Sequence, residues 1–146
     1  MEVVTKNQRE TKKLGKAVAE KILTRKIKKR IIVLKGELGS GKTTFIKGFA
    51  QGLGIKEKIL SPTFVLIRKF QIPNSKFQTF YHIDCYRIEK TREILSLNFK
   101  EIISNPQNIV AIEWGEKIKK ILPKKAIWIK LGFLNSKFRR IKIKFK

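Results

Sequence analysis

The spacing of hydrophobic and polar residues along the chain predicts an alternation of helices and strands. Apolar residues recur at helical spacing through residues 7–24, where Asn7 and Glu10 resemble a capping pair. The other predicted elements are short segments bounded by turn residues: a buried strand at 31–34, a helix at 42–53 closed by Gly54, strands at 64–70 and 77–84, helical turns at 91–103 broken near Asn98, a buried strand at 108–113 and an antiparallel hairpin in the tail. This order predicts a single α/β domain over residues 1–146, with a mixed β-sheet flanked by helices and a C-terminal antiparallel hairpin.

The composition is that of a folded protein. Hydrophobic residues make up 42% of the 146 residues, an ordinary share for a globular protein, so disorder is not expected. No apolar run approaches the ~20 residues that span a bilayer, and the N-terminus has no signal-peptide core. The single cysteine, Cys85, cannot form an internal disulfide or a cysteine-rich zinc site. We therefore expect a soluble cytoplasmic protein with no membrane partner.

The charge balance allows two interpretations. The chain has 35 Lys and Arg residues against 11 acids, a net charge of +24, and such an excess indicates a polyanionic partner such as RNA. The excess is mostly lysine, spread along the chain among many isoleucines, which is also typical of solvated faces in a protein encoded by an A- and T-rich genome. The densest basic blocks are at 26–30 and 138–146. Charge alone therefore leaves direct RNA binding open.

One glycine-rich stretch indicates nucleotide chemistry. The segment G-E-L-G-S-G-K-T-T-F follows the strand predicted at 31–34 and fits the phosphate-loop pattern, with Gly36, Gly41, Lys42 and Thr43 at its diagnostic positions. Between a strand and a helix, the glycines let successive backbone N–H groups face a phosphate, and the positive end of the helix dipole adds to the attraction. Lys42 would reach the β- and γ-phosphates, and the Thr43 hydroxyl would bind Mg²⁺. The motif predicts a P-loop NTPase-like fold that binds a nucleoside triphosphate.

A phosphate loop needs an acid near the metal, usually at the end of a neighbouring apolar strand. Glu113 ends N-I-V-A-I-E and is the stronger candidate for binding Mg²⁺ or orienting the attacking water, because four apolar residues precede it. Asp84 ends F-Y-H-I-D and could share the metal shell or polarise that water; the alternative for either acid is a cap or a surface pair. His82 is interpreted as a packing or orienting residue, and no partner is apparent that would make Cys85 a nucleophile. Trp114, beside Glu113, is either partly buried core or a partner contact.

Four blocks of the sequence resemble the bacterial TsaE family, also called YjeE. They are G-E-L-G-S-G-K-T-T-F, S-P-T-F at 61–64, Y-H-I-D-C-Y-R at 81–87 and I-E-W-G-E-K at 112–117, and they occur in the family's order over nearly the whole chain. The phosphate loop alone is generic, whereas S-P-T-F together with H-x-D-x-Y-R and E-W-x-E makes the resemblance specific. The departures from the family pattern, at Ile83, Cys85 and Gly115, remove no charged or hydroxyl group from the predicted site.

The resemblance implies an ATPase of tRNA modification. TsaE proteins bind ATP and Mg²⁺, hydrolyse ATP slowly by themselves and act on a complex of the TsaD and TsaB subunits. That complex transfers a threonylcarbamoyl group to adenosine 37 of tRNAs that read codons beginning with A. The implied partners of this chain are therefore TsaD–TsaB directly and tRNA indirectly.

Carried over by position, the resemblance also implies the site residues. Lys42, Asp84 and Glu113 receive catalytic roles, and Thr43 with Glu113 would hold the metal. The residues implied to bind the phosphates are Leu38, Gly39, Ser40, Gly41, Lys42 and Thr43, and Thr44 is also implied to bind the cofactor. Gln8 and Thr11 would lie near the base, and Trp114 and Thr63 would contact the partner. Thr63 belongs to Ser61–Pro62–Thr63, which looks like the family's mobile loop near the γ-phosphate.

Other classes of protein fit the residues less well. A small GTPase would carry an N-K-x-D element, and none is present. A small nucleotide kinase would need an arginine-rich lid and a second substrate pocket, for which a chain of this length has little room. A basic P-loop RNA-binding protein would explain the charge but would leave Glu113 and Asp84 without a role.

Overall fold

In the computed structural model, which describes residues 1–59 and 66–145, seven strands form one sheet flanked by helices. The elements, in chain order, are β1 Glu2–Thr5, α1 Gln8–Leu23, β2 Ile31–Lys35, α2 Lys42–Gly52, β3 Ile67–Gln71, β4 Thr79–Asp84, α3 Thr91–Leu95, α4 Phe99–Ser104, β5 Asn108–Glu113, a 3₁₀ helix Gly115–Ile121, β6 Ile127–Phe133 and β7 Arg139–Lys144. This confirms the predicted α/β fold with its mixed sheet and C-terminal hairpin.

The strand order places the carboxyl ends of several strands at one edge of the sheet. The order is β1-β7-β6-β2-β5-β4-β3. The strands β6, β2, β5 and β4 run parallel, and antiparallel pairs extend the sheet at both sides. In open α/β sheets, ligands bind outside the carboxyl ends of such strands. Here that edge carries the phosphate-loop motif after β2, Asp84 at the end of β4 and Glu113 at the end of β5.

Two hydrophobic layers cover the sheet. The central strands β2 and β5 are buried almost throughout, as expected for parallel strands packed on both faces. On one face α1 and α2 pack against alternate residues of β2, β6 and β7; on the other, α3, α4 and the 3₁₀ helix pack against β2 and β5. The two long helices are in close contact at Gly48, where the absence of a side chain is needed: an added Cβ would lie 1.8 Å from the carbonyl oxygen of Lys12. This packing fixes the direction in which α2 leaves the loop.

Most predicted elements are confirmed within a few residues. The strand β5 has the predicted bounds, and Asn7 caps α1 by accepting a hydrogen bond from Glu10 N at 2.9 Å. The predicted helical break is at Asn98, which has φ 60° between α3 and α4. The strand predicted at 77–84 begins only at Thr79, because Phe77 N donates to Ser75 Oγ in the preceding turn.

Three features differ from the prediction or lie beyond it. The strand predicted at 64–70 corresponds to β3, whose described bounds are Ile67–Gln71; residues 64–65 lie outside the described residues, as does the loop predicted at 61–63. The strand β1 and the 3₁₀ helix have no counterpart in the sequence prediction. Within the described ranges, no helix is both long and apolar enough to cross a membrane.

Candidate functional site

The loop between β2 and α2 is shaped by glycines at positions where other residues would not fit. Gly41, immediately before α2, has φ 103°, a left-handed conformation that L side chains rarely adopt. A Cβ on Gly36 would lie 2.4 Å from the carbonyl oxygen of Leu131 on β6. Among the described residues, no side chain caps α2 and no acid lies in its first turn. The backbone N–H groups and the positive dipole end of α2 are thus available to an anion.

Lys42 is folded back into this loop. Its ammonium donates to the carbonyl oxygens of Gly36 and, at 3.0 Å, of Glu37, and it lies 4.2 Å from the ring centroid of Trp114. Burial lowers the pKa of Lys42, and the carboxylate of Glu113 opposes this shift. The Lys42 ammonium is therefore a partly desolvated cation in contact with neutral carbonyl oxygens and an aromatic ring. A phosphate would bind it more strongly than these neutral groups do.

Glu113 is held on both of its carboxylate oxygens. Its Oε1 accepts a hydrogen bond from Thr43 Oγ1 at 3.3 Å, and its Oε2 lies 2.7 Å from His82 Nε2. An ionised carboxylate only accepts hydrogen bonds, so in this pair the His82 Nε2–H donates to Glu113. The buried Nδ1 of His82 has no hydrogen-bond partner among the described residues. The buried imidazole is thus aimed at Glu113.

Asp84 stands beside Glu113 because β4 and β5 are paired in parallel with these two residues in register. Its Oδ1 accepts a hydrogen bond from Tyr86 N at 2.9 Å. Burial raises the pKa of Asp84; the Tyr86 N–H partly offsets this, and the charge of Glu113 adds to it. A carboxylate with a raised pKa is suited to accept a proton. The adjacent Cys85 is different: burial raises the pKa of its thiol to about 12, which agrees with the expectation that it is not a nucleophile.

Trp114 and Tyr86 form an aromatic pair at the exit of β5. Their ring centroids are 5.2 Å apart, and Trp114 adopts a left-handed backbone conformation with φ 60° where the chain turns from β5 into the 3₁₀ helix. The ammonium of Lys117 donates to the carbonyl oxygen of Tyr86 and lies 5.2 Å from its ring centroid. Trp114 is partly buried at the margin of one core layer. It thus packs against the site lysine as well as the core.

These elements enclose one cavity of about 670 Å³, within the usual range for ligand sites. Eleven of the residues predicted for the site line it: Gln8, Thr11, Leu38, Gly39, Gly41, Lys42, Thr43, Thr44, Asp84, Glu113 and Trp114. Ser40 does not line the cavity; it is fully buried, with an Oγ that has no hydrogen-bond partner among the described residues. Thr63 lies outside the described residues. The start of α1 and the phosphate loop therefore border the same space.

Sequence reasoning missed a basic group on the wall formed by the β6–β7 hairpin. Lys137 and Arg139 line the cavity. Arg139 Nη2 donates to the carbonyl oxygen of Gly39 at 3.3 Å, and its guanidinium lies 4.4 Å from the ring centroid of Phe133. The dense basic block at 138–146 was visible in the sequence, but its position against the phosphate loop depends on pairing between strands far apart in the chain.

Two oxygen atoms, one in the first turn of α2 and one at the end of β5, fit Mg²⁺. Thr43 Oγ1 and Glu113 Oε1 lie 3.3 Å apart, and Mg²⁺ is commonly held by one or two carboxylates together with phosphates and water. Since His82 engages the other oxygen of Glu113, the remaining one is oriented toward Thr43.

Comparisons with known proteins agree on one family. The family model described as "Threonylcarbamoyl adenosine biosynthesis protein TsaE" matches residues 5–141. The chain is 36% identical over 113 residues to the tRNA threonylcarbamoyladenosine biosynthesis protein TsaE of Treponema pallidum, covering 77% of this chain and 80% of that protein. It is 34% identical over 139 residues to the protein of the same name from Rickettsia typhi, covering 94% of this chain and 90% of that one.

A solved structure supports the same grouping. The crystal structure of Bacillus subtilis YdiB matches with a TM-score of 0.74 and 30% identity, covering 98% of this chain and 83% of YdiB. The fold, the arrangement of the phosphate loop, Asp84 and Glu113 around one cavity and the family match over nearly the whole chain are mutually consistent. The chain belongs to the TsaE family of threonylcarbamoyl adenosine biosynthesis proteins.

Proposed function

We propose that this protein is the Mg²⁺-dependent ATPase of the machinery that forms N6-threonylcarbamoyladenosine at position 37 of tRNA, acting in the cytoplasm on the TsaD–TsaB complex. The observation that carries the proposal is the convergence of Lys42, Thr43, Asp84 and Glu113 on one cavity at the carboxyl edge of the parallel strands. The tRNA threonylcarbamoyladenosine biosynthesis proteins to which the chain is similar supply the biological context.

In this proposal the loop and α2 bind the triphosphate. Backbone N–H groups at residues 38–43 face the phosphate oxygens, and the dipole of α2 adds to their attraction. The Lys42 ammonium exchanges the carbonyl oxygens of Gly36 and Glu37 for β- and γ-phosphate oxygens. Gln8 and Thr11, which line the cavity near the start of α1, would border the base. The net effect is to hold the γ-phosphate near the two carboxylates.

The two acids take different roles. Thr43 and Glu113 would hold Mg²⁺, which neutralises charge on the β- and γ-phosphates when bound. Asp84 accepts a proton from a water whose oxygen bonds to the γ-phosphorus as the bond to the β–γ bridging oxygen breaks, which leaves ADP and phosphate. The raised pKa of Asp84 suits it to accept that proton. His82 keeps the carboxylate of Glu113 oriented throughout.

Two substitutions test the nucleotide site. We expect Lys42→Ala and Thr43→Ala to lower hydrolysis by about a hundred- to a thousandfold, the loss typical of removing one group that stabilises developing charge. Lys47→Ala is the matched control, because Lys47 is exposed on the same helix and its removal deletes the same charge. Hydrolysis and ATP affinity are measured for all three, with circular dichroism to verify folding. Near-normal hydrolysis in both site variants would overturn the proposal.

A further inference from the structure

One face of the sheet carries basic side chains in adjacent positions on neighbouring strands. Alternation along β6 and β7 points Ile129, Leu131, Ile141 and Ile143 into the core beneath α1 and α2. The alternate residues therefore point to the opposite side, and four of them are exposed basic residues. We call this surface the basic sheet face and define it by Lys130, Gly132, Arg140, Lys142 and Lys144.

Within the described part of the chain, this face is not covered by a second layer. A Cβ added at Gly132 would meet no heavy atom within 4 Å, and Val4 on the neighbouring strand β1 is 44% exposed. The helices on this side of the sheet pack instead on β2 and β5, against residues such as Val33 and Ile112. The missing side chain at Gly132 leaves the backbone open to close approach by a ligand.

The register places like charges directly opposite one another. Lys130 pairs across strands with Lys142, and on its other side Lys130 is next to Lys35 of β2. Like charges at opposed positions destabilise a sheet, so this row is not what packing alone would favour. The acid on the adjoining strand, Glu2, binds Arg140 at 3.0 Å. Among the described residues, the three lysines of the face have no ion-pair partner.

We propose that the basic sheet face binds the phosphate backbone of RNA. Residues two apart on a strand are spaced by about 6.6–6.8 Å and strands by about 4.8 Å, so the three lysines form a regular cationic array suited to a chain of phosphates, with the ion pair of Arg140 and Glu2 at its side. An acidic protein is the weaker match, since protein interfaces depend on buried aromatic anchors and Trp128, the aromatic residue in register with Lys144, is itself partly buried. The choice of RNA over another polyanion rests on the proposed function in tRNA modification.

The test compares two triple variants with equal charge loss. In the face variant Lys130, Lys142 and Lys144 are each changed to Gln. In the control variant Lys13, Lys16 and Lys56, which are exposed residues elsewhere, are changed to Gln. Binding of an unmodified tRNA transcript is measured over a range of salt concentrations for both variants and the unsubstituted protein. Since each phosphate contact contributes roughly 0.7–0.9 to the slope of log affinity against log salt, we expect the face variant to lower the slope by about 2–3 and the control variant to leave it nearly unchanged.

Each outcome decides the proposal. Equal loss in the two variants would show general attraction by net charge and overturn it, as would an unchanged slope in the face variant. If the face variant instead lost only its response to TsaD–TsaB, the face would be a protein-docking surface and the RNA assignment would be wrong. Partner-free ATP hydrolysis is measured in parallel and should be unaffected by either triple variant. RNA binding through the face in a protein without ATPase activity would uphold this inference while contradicting the proposed function.

Discussion

At the residue scale, the most informative contact of His82 is the one with Glu113. Both side chains are buried, and their nearest polar atoms are 2.7 Å apart. A carboxylate without a partner at this depth would be costly. By occupying one oxygen of Glu113, His82 leaves the other directed at Thr43 and so acts as a positioning residue for the proposed metal site.

We therefore expect His82→Ala to raise the Mg²⁺ concentration for half-maximal hydrolysis by about 10–100-fold, the usual effect of losing a group that orients a metal ligand. The ATP affinity should change less. His82→Gln, which retains an N–H donor, should recover part of the loss. The measurement is hydrolysis over a Mg²⁺ titration at fixed ATP. If Mg²⁺ response and ATP affinity fall together in His82→Ala and glutamine gives no recovery, the histidine serves packing alone.

Asp84 offers a test through pH. A carboxyl whose pKa is raised on folding binds its proton more tightly in the folded chain, so its ionised form destabilises the fold at neutral pH. Asp84→Asn removes the charge and keeps an acceptor for Tyr86 N–H. We expect a higher free energy of unfolding at neutral pH and much slower hydrolysis. The gain in stability should shrink as pH falls through the raised pKa and be smallest below the ordinary value of 3.8, where both states bind the proton. Urea unfolding at neutral and acidic pH checks this; lower stability at neutral pH would contradict it.

At the element scale, features set by neighbours in the chain were predictable from sequence. The Asn7 cap, the break at Asn98 and the apolar run of β5 are each specified within a few residues. The strand β1 was not predictable, because its four residues carry a weak pattern and pair with β7, as in Glu2 with Lys142, across almost the whole chain. The formation of β1 therefore depends on its pairing with β7 and not on its own sequence pattern.

The same distinction applies to the site. The phosphate loop and the two strand-end acids follow from local motifs, and the structure brings them together. The contact of Arg139 with Gly39 could not be predicted, since it requires the hairpin to fold beside the loop. The 3₁₀ helix also depends on distant packing: a Cβ on Gly115 would lie 2.1 Å from Val33 Cγ1, so glycine at this position fits the space left by β2.

The repulsion between lysines on the basic sheet face leads to a prediction about the stability of the sheet. Lys130→Thr removes the repulsion with Lys142 and places a β-branched residue in an exposed strand position. We expect the free energy of unfolding to rise by up to about 1 kcal/mol at low salt. The gain should decrease at high salt, because screening weakens the repulsion in the unsubstituted protein. Urea unfolding at two salt concentrations measures both effects. A gain that does not depend on salt would reflect strand propensity and not charge.

At the scale of the whole molecule, large apolar side chains are exposed around the cavity at the phosphate loop. Leu38 and Tyr86 line the cavity and are 66% and 42% exposed, and Phe133, which packs beside Arg139, is 48% exposed. Exposed apolar groups gathered at one place are typical of a surface that binds a partner. If the proposed function is correct, we expect TsaD–TsaB to dock against the open side of the cavity, with Trp114 and Tyr86 close to the contact.

Such docking should change the rate of hydrolysis. Arg87 and Arg139 line the cavity, and the guanidinium of Arg139 donates to the carbonyl oxygen of Gly39 and lies over the ring of Phe133, so it would have to leave these contacts before it could neutralise transition-state charge. A cation that a partner supplies or positions raises phosphoryl-transfer rates by about 10³–10⁵. We expect slow hydrolysis by the protein alone and strong stimulation by TsaD–TsaB, measured against partner concentration at low and moderate salt. Lys42→Ala should remain inactive with the partner present, which controls for ATPase activity in the partner preparation.

Because the charge of the chain affects mainly the rate of encounter, salt should shift the partner concentration required for half-maximal stimulation more than it shifts the maximal rate. Absence of stimulation at every salt concentration would mean that the chain hydrolyses ATP without help from TsaD–TsaB.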